Sequence, residues 1–201
     1  MTRANLLILF KIFFGVLGLC ALTTEISILR SLGEFVPLHF FSQFSIEANL
    51  FAGVILILSS LTLIQGKKSR NLEMLRGMAT LNLAITGIVF VVFLSGTVGD
   101  ELTKFPWDNL VLHYILPIVV LVDWYIDAPK REIHFKQGLI WLIFPITYFC
   151  YTLFRGYLSN WYPYPFLDPR IGGYLEVTTI GLTILALSLG IIWLLTRSTR
   201  K

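Results

Sequence analysis

The sequence predicts an all-α polytopic membrane protein, a six-transmembrane-helix bundle with both termini cytoplasmic, on three observations. The 201 residues are 56% hydrophobic and only 14% charged, with a mean hydropathy of +0.76. A soluble domain needs more polar surface than that. Six apolar runs approach the roughly 20 residues that carry a helix across hydrocarbon. Lys and Arg fall unevenly between the two sets of loops.

The predicted spans are Leu6–Thr23, Phe40–Ile64, Met78–Val98, Trp107–Ile126, Leu139–Leu158 and Tyr174–Thr196. Short connections leave residues 1–201 as a single six-helix transmembrane domain. With the N-terminus inside, the cytoplasmic side collects eleven cations: Arg3, Lys67, Lys68, Arg70, Arg76, Lys130, Arg131, Lys136, Arg197, Arg200 and Lys201. The outer side keeps four, Arg30, Lys104, Arg155 and Arg170. The positive-inside rule makes that asymmetry a statement of orientation. The sequence pI near 9.1 then reflects topology. No aromatic-interleaved basic patch points to nucleic acid.

Span one reads as a retained helix. Lys11 breaks its apolar run, and no small-x-small cleavage site follows. Cys20 and Cys150 lie in spans and are expected to be small packing residues. Lys11 and Asp123 have similar depth near the cytoplasmic side, which predicts a structural ion pair; Lys11 could also snorkel. In span three, Asn82 and Thr86 stand one turn apart, followed by Gly87, a stripe suited to close helix packing.

His113, inside LVLHYILPIVVLVDW, is the most informative residue. An ionisable side chain in hydrocarbon costs roughly 2 kcal/mol or more unless it faces protein or water. Asn109 lies one turn before it and Pro117 one turn after. Proline frees the carbonyl four residues back, so the helix opens locally beside the imidazole. Ser45 lies about five residues into the second span and His113 about six into the fourth, so at about 1.5 Å rise per residue both lie on the order of 8 Å below the outer boundary. The pattern FFSQFSIEANLF sets Ser42, Ser45 and Asn49 on one side and Gln43 and Glu47 on another.

Two readings stay open for these residues, polar helix packing and chemistry. No HExxH, paired-Cys, Walker or GxSxG motif is present. His39, His113 and His134 lie at different depths, so neither a metal nor another cofactor is expected. A hydroxyl nucleophile with a histidine base is the one catalytic pair of the outer half. Asn109 would orient the imidazole, and Asn49 or Ser42 would contribute to an oxyanion site. Arg155 could pair with Glu47, bind a carboxylate or reach headgroups. Trp161 and Tyr162 belong to SNWYPYPFLD, a proline-stiffened loop that serves as an access rim or an aromatic belt.

The segments FFSQFSIEANL, LRGMATLNLAITG, LHYILPIVVLVDW, TLFRGYL and WYPYPFLD, in this order, resemble the bacterial relatives of the androgen-induced protein family. That family includes the androgen-dependent regulator of tissue factor pathway inhibitor. The resemblance implies a bacterial inner-membrane protein. It also implies an intramembrane hydrolase of fatty acid esters of hydroxy fatty acids, with Ser45 at the position of a threonine nucleophile and His113 at that of the histidine. Its partners would be membrane lipids and a lipid-ester substrate. The alternatives are a non-catalytic binder of lipid or small molecules, or an assembly factor, and then a transporter.

Overall fold

The computed structural model describes residues 2–67, 69–94 and 106–199. Lys68, Lys104, Arg200, Lys201 and the end of the third predicted span at Val98 lie outside the described residues. Helix α1 (Arg3–Ser31) starts at Thr2, whose hydroxyl accepts the Asn5 N–H at 3.3 Å. A short α2 (Pro37–Phe40) precedes α3 (Phe44–Ile64). Helix α4 (Arg70–Val89) runs on through a π turn, Phe90–Leu94. The fourth span is assembled from α5 (Pro106–Leu110), a π turn (Val111–Ile115) and α6 (Leu116–Ile126). The short α7 (Phe135–Gly138) leads through a 3-10 turn into α8 (Ile143–Ser159), and α9 (Pro169–Arg197) closes the chain.

No strand occurs among the described residues. Six helices are long and apolar enough to cross a bilayer, and they mark the chain as a multi-pass membrane protein. Its surface is apolar where that of a soluble domain is polar, and several polar residues lie inside. Phe13, Ile118, Phe154, Leu175 and Leu182 are more than half exposed, while Lys11, Asn49, Asn82, Asp108 and Asp123 are buried. Hydrocarbon around the bundle accepts the apolar side chains and favours buried polar groups that are paired, as Lys11 and Asp123 are. The Asn82 amide, by contrast, is buried without a hydrogen-bond partner among the described residues.

Packing is centred on α4, whose most apolar window is 61% buried against 28% for α1 and 22% for α9. Helix α1 packs along α3, α3 along α4, and α4 along α6. The first contact depends on facing glycines: a Cβ on Gly15 would lie 3.0 Å from the Gly53 carbonyl, and one on Gly53 would lie 3.3 Å from the Gly15 carbonyl. Small residues of this kind let membrane helices approach backbone to backbone. Gly87 does the same between α4 and α6, since a Cβ there would stand 2.9 Å from Pro117. Cys20 and Cys150 depart from their expected role: both are free and exposed on helix faces instead of packed.

The first, third, fifth and sixth helical spans begin before their predicted starts, because backbone hydrogen bonding continues where the apolar run stops. The second starts at Phe44 instead of Phe40. The third is the instructive case. It begins at Arg70 instead of Met78, so Arg76 is a buried helical residue and no part of a cytoplasmic loop. Arg76 can be there because it is neutralised. Lys11 and Arg76 face Asp123 and Asp127 in a buried quartet of two cations and two anions. Lys11 Nζ donates to Asp123 Oδ1 and lies 3.1 Å from Asp127 Oδ2. The Arg76 guanidinium grips Asp123 Oδ2 through Nη2 at 2.7 Å and Nε at 3.2 Å, and the Asp123 carbonyl at 3.2 Å. The predicted Lys11–Asp123 pair is thus one edge of a cluster that fixes α1, α4 and α6 to one another. It lies at the end of the bundle holding both termini, where Arg3 Nη2 also donates to the Ile126 carbonyl and Trp124 Nε1 to the Leu195 carbonyl.

Removing one member of a buried ion cluster costs about 3–5 kcal/mol, because the remaining charges are left uncompensated. Asp123→Asn should therefore lower the thermal midpoint of the detergent-solubilised protein sharply. Adding Lys11→Met, which restores charge balance around Arg76 and Asp127, should recover part of the loss. Additive losses in the double variant would contradict the quartet as a coupled unit.

Candidate active site

The local chemistry of the fourth span explains where His113 points. Pro117 has no N–H to donate, and the helix responds one turn earlier by widening. The Leu116 N–H bonds to the Val111 carbonyl, a π-type step that leaves the Leu112 carbonyl over. Asn49 of α3 fills that vacancy. Its Nδ2 donates to the Leu112 carbonyl at 3.2 Å and to the Ser45 carbonyl at 2.8 Å. The predicted polar face of α3 thus clamps α3 against the widened turn, and both hydrogens of the Asn49 amide are committed to carbonyls.

His113 sits at the centre of that turn and is buried. Its Nδ1 is 2.7 Å from Asn109 Oδ1. An amide oxygen only accepts, so this contact assigns the proton to Nδ1 and leaves Nε2 with its lone pair. The Phe90 ring stacks on the imidazole, with centroids 4.1 Å apart and an interplanar angle of 18°. Phe90 opens the π turn at the end of α4. Two widened turns on neighbouring helices thus meet around one histidine.

Ser45 is the second residue of α3, so its N–H is one of the four donors a helix start leaves without an intrahelical acceptor. Gln43 at the N-cap supplies no side-chain acceptor. Tyrosines do that work instead. Tyr148 Oη accepts the Phe44 N–H at 3.2 Å and donates to the Ser42 carbonyl at 2.9 Å. Tyr164 Oη accepts the Ser45 N–H at 3.4 Å. Burial holds the Tyr164 phenol above its ordinary pKa, which keeps it protonated.

Ser45 and His113 line one cavity of about 240 Å³. Voids much larger than a water are few in a packed protein, which singles this cavity out as the candidate site. Its wall is overwhelmingly apolar; Ser45, His113, Tyr148 and Tyr164 are polar members of it, and Thr86, Thr178 and Ser188 are the others. Phe166 and Leu167 close it at the end of the bundle away from the termini. Ile146 of α8 and Leu182 of α9 also line it, and they are 47% and 61% exposed. The cavity therefore reaches the apolar flank of the bundle between α8 and α9. Among the described residues no direct hydrogen bond joins Ser45 to His113, although they share the wall.

The other residues singled out in the sequence lie elsewhere. Ser42 precedes α3 in the turn after α2, so it does not share the face of Ser45; its hydroxyl donates to the Leu38 carbonyl and lies 3.4 Å from Tyr151 Oη. Arg155 donates to the Leu38 carbonyl at 3.3 Å and stacks on Trp161 at 4.6 Å. Trp161 in turn lies against His39, with centroids 4.1 Å apart and an interplanar angle of 3°. Burial, with Arg155 beside it, holds His39 below its ordinary pKa. Tyr162 rests on Gly156, where a Cβ would collide with the ring. None of these four lines the cavity. Arg155, Trp161 and Tyr162 brace the loop that carries Tyr164, together with Arg170, which pairs with Asp168 at 2.6 Å and donates to the Asn160 carbonyl at 2.9 Å. The Arg170 hydrogen bonds hold the Asp168 carboxyl below the usual range. That brace therefore persists through mildly acidic pH and is lost only as pH falls through the lowered value.

Sequence reasoning missed Phe90, Tyr148 and Tyr164. Tyr164 had a signal, since the loop WYPYPFLD offers an alternation of aromatics of which one face must turn inward. Among the described residues, no group of three or more His, Cys, Asp or Glu side chains could hold a metal ion. No family model, curated protein or solved structure matches this chain.

Proposed function

We propose that this protein is an integral membrane hydrolase that cleaves lipid esters, with Ser45 as nucleophile and His113 as general base. The observation that carries this reading is the shared cavity. A hydroxyl and an imidazole whose Nδ1 is held by Asn109 stand in the wall of one mostly apolar chamber that reaches the apolar flank of the bundle. An ester whose acyl chain lies in the bilayer would enter between α8 and α9, placing its carbonyl beside Ser45. His113 Nε2 would take the Ser45 proton as Oγ bonds to the carbonyl carbon. The protonated imidazole would pass that proton to the departing alcohol as the ester C–O bond breaks, and water would release the acyl group by the same path in reverse order. Asn109 holds the ring in the tautomer this requires.

The resemblance of FFSQFSIEANL and LHYILPIVVLVDW to the androgen-induced protein family supports the same assignment, with fatty acid esters of hydroxy fatty acids as the substrate class and the bacterial inner membrane as the site. Both termini are assigned to the cytoplasm on the distribution of Lys and Arg. A second reading, a non-catalytic lipid-binding protein, is favoured by one observation: Ser45 and His113 are not hydrogen-bonded to each other among the described residues. General bases often tighten onto their nucleophiles only when substrate is bound, so the hydrolase reading stands first.

In lipid nanodiscs, a long-chain fluorophosphonate should label the protein, and Ser45→Ala should abolish labelling. His113→Gln should slow it by roughly 10²-fold or more, the usual worth of a positioned base. Absence of labelling with a long-chain lipid retained in the cavity would favour the binder. In intact cells, a cysteine at Ser159 should react with an impermeant maleimide, while one at Lys136 should react only after permeabilisation. The opposite pattern would reverse the orientation.

A further inference from the structure

We infer that the Tyr164 hydroxyl and the Ser45 backbone N–H form the oxyanion site of this cavity. This inference rests on the hydrolase reading. Two tyrosines stand over the start of α3, and they differ in what their hydroxyls already do. Tyr148 is committed twice, accepting from Phe44 and donating to the Ser42 carbonyl. Tyr164 Oη accepts the Ser45 N–H at a long 3.4 Å, and the Ser45 side chain and the Phe44 backbone are further hydrogen-bond neighbours of the phenol. Unlike that of Tyr148, its proton is given to no backbone carbonyl among the described hydrogen bonds, so it can turn to a substrate oxygen. Tyr164 is buried and lines the cavity beside Ser45.

The partner donor comes from the helix. The Ile46 and Glu47 N–H groups both turn to the Gln43 carbonyl, at 3.1 and 3.2 Å. Ser45 N–H has no such acceptor and is directed at Tyr164 Oη. A 21-residue helix places positive potential at this end. A tetrahedral oxyanion arriving here would take both hydrogens, replacing one long N–H···O contact by two charge-assisted bonds. The geometry is also rigid. The Tyr164 ring stacks on Phe166 with centroids 5.1 Å apart and an interplanar angle of 4°, and Phe166 packs on Phe93 at 5.4 Å.

In the reaction, Ser45 Oγ bonds to the carbonyl carbon and its proton passes to His113 Nε2. The carbonyl π pair moves onto oxygen, where Tyr164 O–H and Ser45 N–H stabilise it. Collapse returns that pair to the C=O bond, breaks the C–O bond to the alcohol and moves the imidazolium proton to the leaving oxygen. Tyr164 keeps its proton throughout, and burial favours that by raising the phenol pKa.

The test is turnover of 4-nitrophenyl palmitate by the full chain in nanodiscs. Tyr164→Phe keeps the ring and its stack on Phe166. Losing one oxyanion donor should lower kcat on the order of 10²-fold with little change in KM or thermal midpoint. Should that variant lose stability as well, 3,5-difluorotyrosine at position 164 keeps the hydroxyl but acidifies it. The alkaline fall in kcat should then begin at lower pH, which a merely structural tyrosine would not produce. Wild-type kcat in Tyr164→Phe, or an unmoved pH profile in the fluorinated protein, overturns the inference and leaves the hydrolase reading intact. A wild-type chain that neither labels nor hydrolyses removes both.

Discussion

Hydrocarbon gives no hydrogen bonds, and the polar anatomy of this bundle follows from that constraint. Each polar group brought inside needs a partner supplied by the chain itself, at a cost of several kcal/mol when it is absent. Lys11 and Arg76 are inside because Asp123 and Asp127 meet them. The Leu112 carbonyl, released where the fourth span widens, is met by Asn49. The first amides of α3 are met by two tyrosines from distant parts of the chain.

The same rule that stabilises the bundle also builds the cavity. Pro117 cannot continue the hydrogen-bond ladder, so the preceding turn expands and carries His113 off the regular helical face. Widened turns of this kind inside α-helices are frequent at functional sites. Here a second one begins at Phe90, whose ring lies on the imidazole. The space between them is bounded on its remaining sides by α8 and α9, which bury little of their own surface. A mostly apolar chamber with Ser45 and His113 in its wall is the result.

How much of this was legible beforehand depended on the range of the interaction. Span number follows from apolar run length, a local property, and all six long helices appear where the runs lie. The Lys11–Asp123 pair was legible from depth alone, since opposite charges at equal depth in lipid have few other options. Arg76 was not, because an apolar-run reading starts the third span at Met78 and assigns any earlier cation to a loop. Asn109 was placed beside His113 by helical spacing, and one turn of helix brings them together. Ser42 failed the same spacing rule, because the helix starts after it. Within WYPYPFLD, Trp161 and Tyr162 brace the loop from outside and Tyr164 alone reaches Ser45. Which aromatic turns inward is decided by two prolines and by Arg170 holding Asp168 and Asn160, a loop geometry that periodicity does not encode.

The central claim is that one chamber brings a lipid ester to Ser45. It is tested most directly by an experimental structure of the protein in nanodiscs after reaction with a hexadecyl fluorophosphonate. The account predicts phosphorus bonded to Ser45 Oγ, the phosphoryl oxygen between Tyr164 Oη and the Ser45 N–H, and the alkyl chain leaving between α8 and α9. An adduct on any other residue, or a chain that leaves the cavity through the end of the bundle, would contradict it.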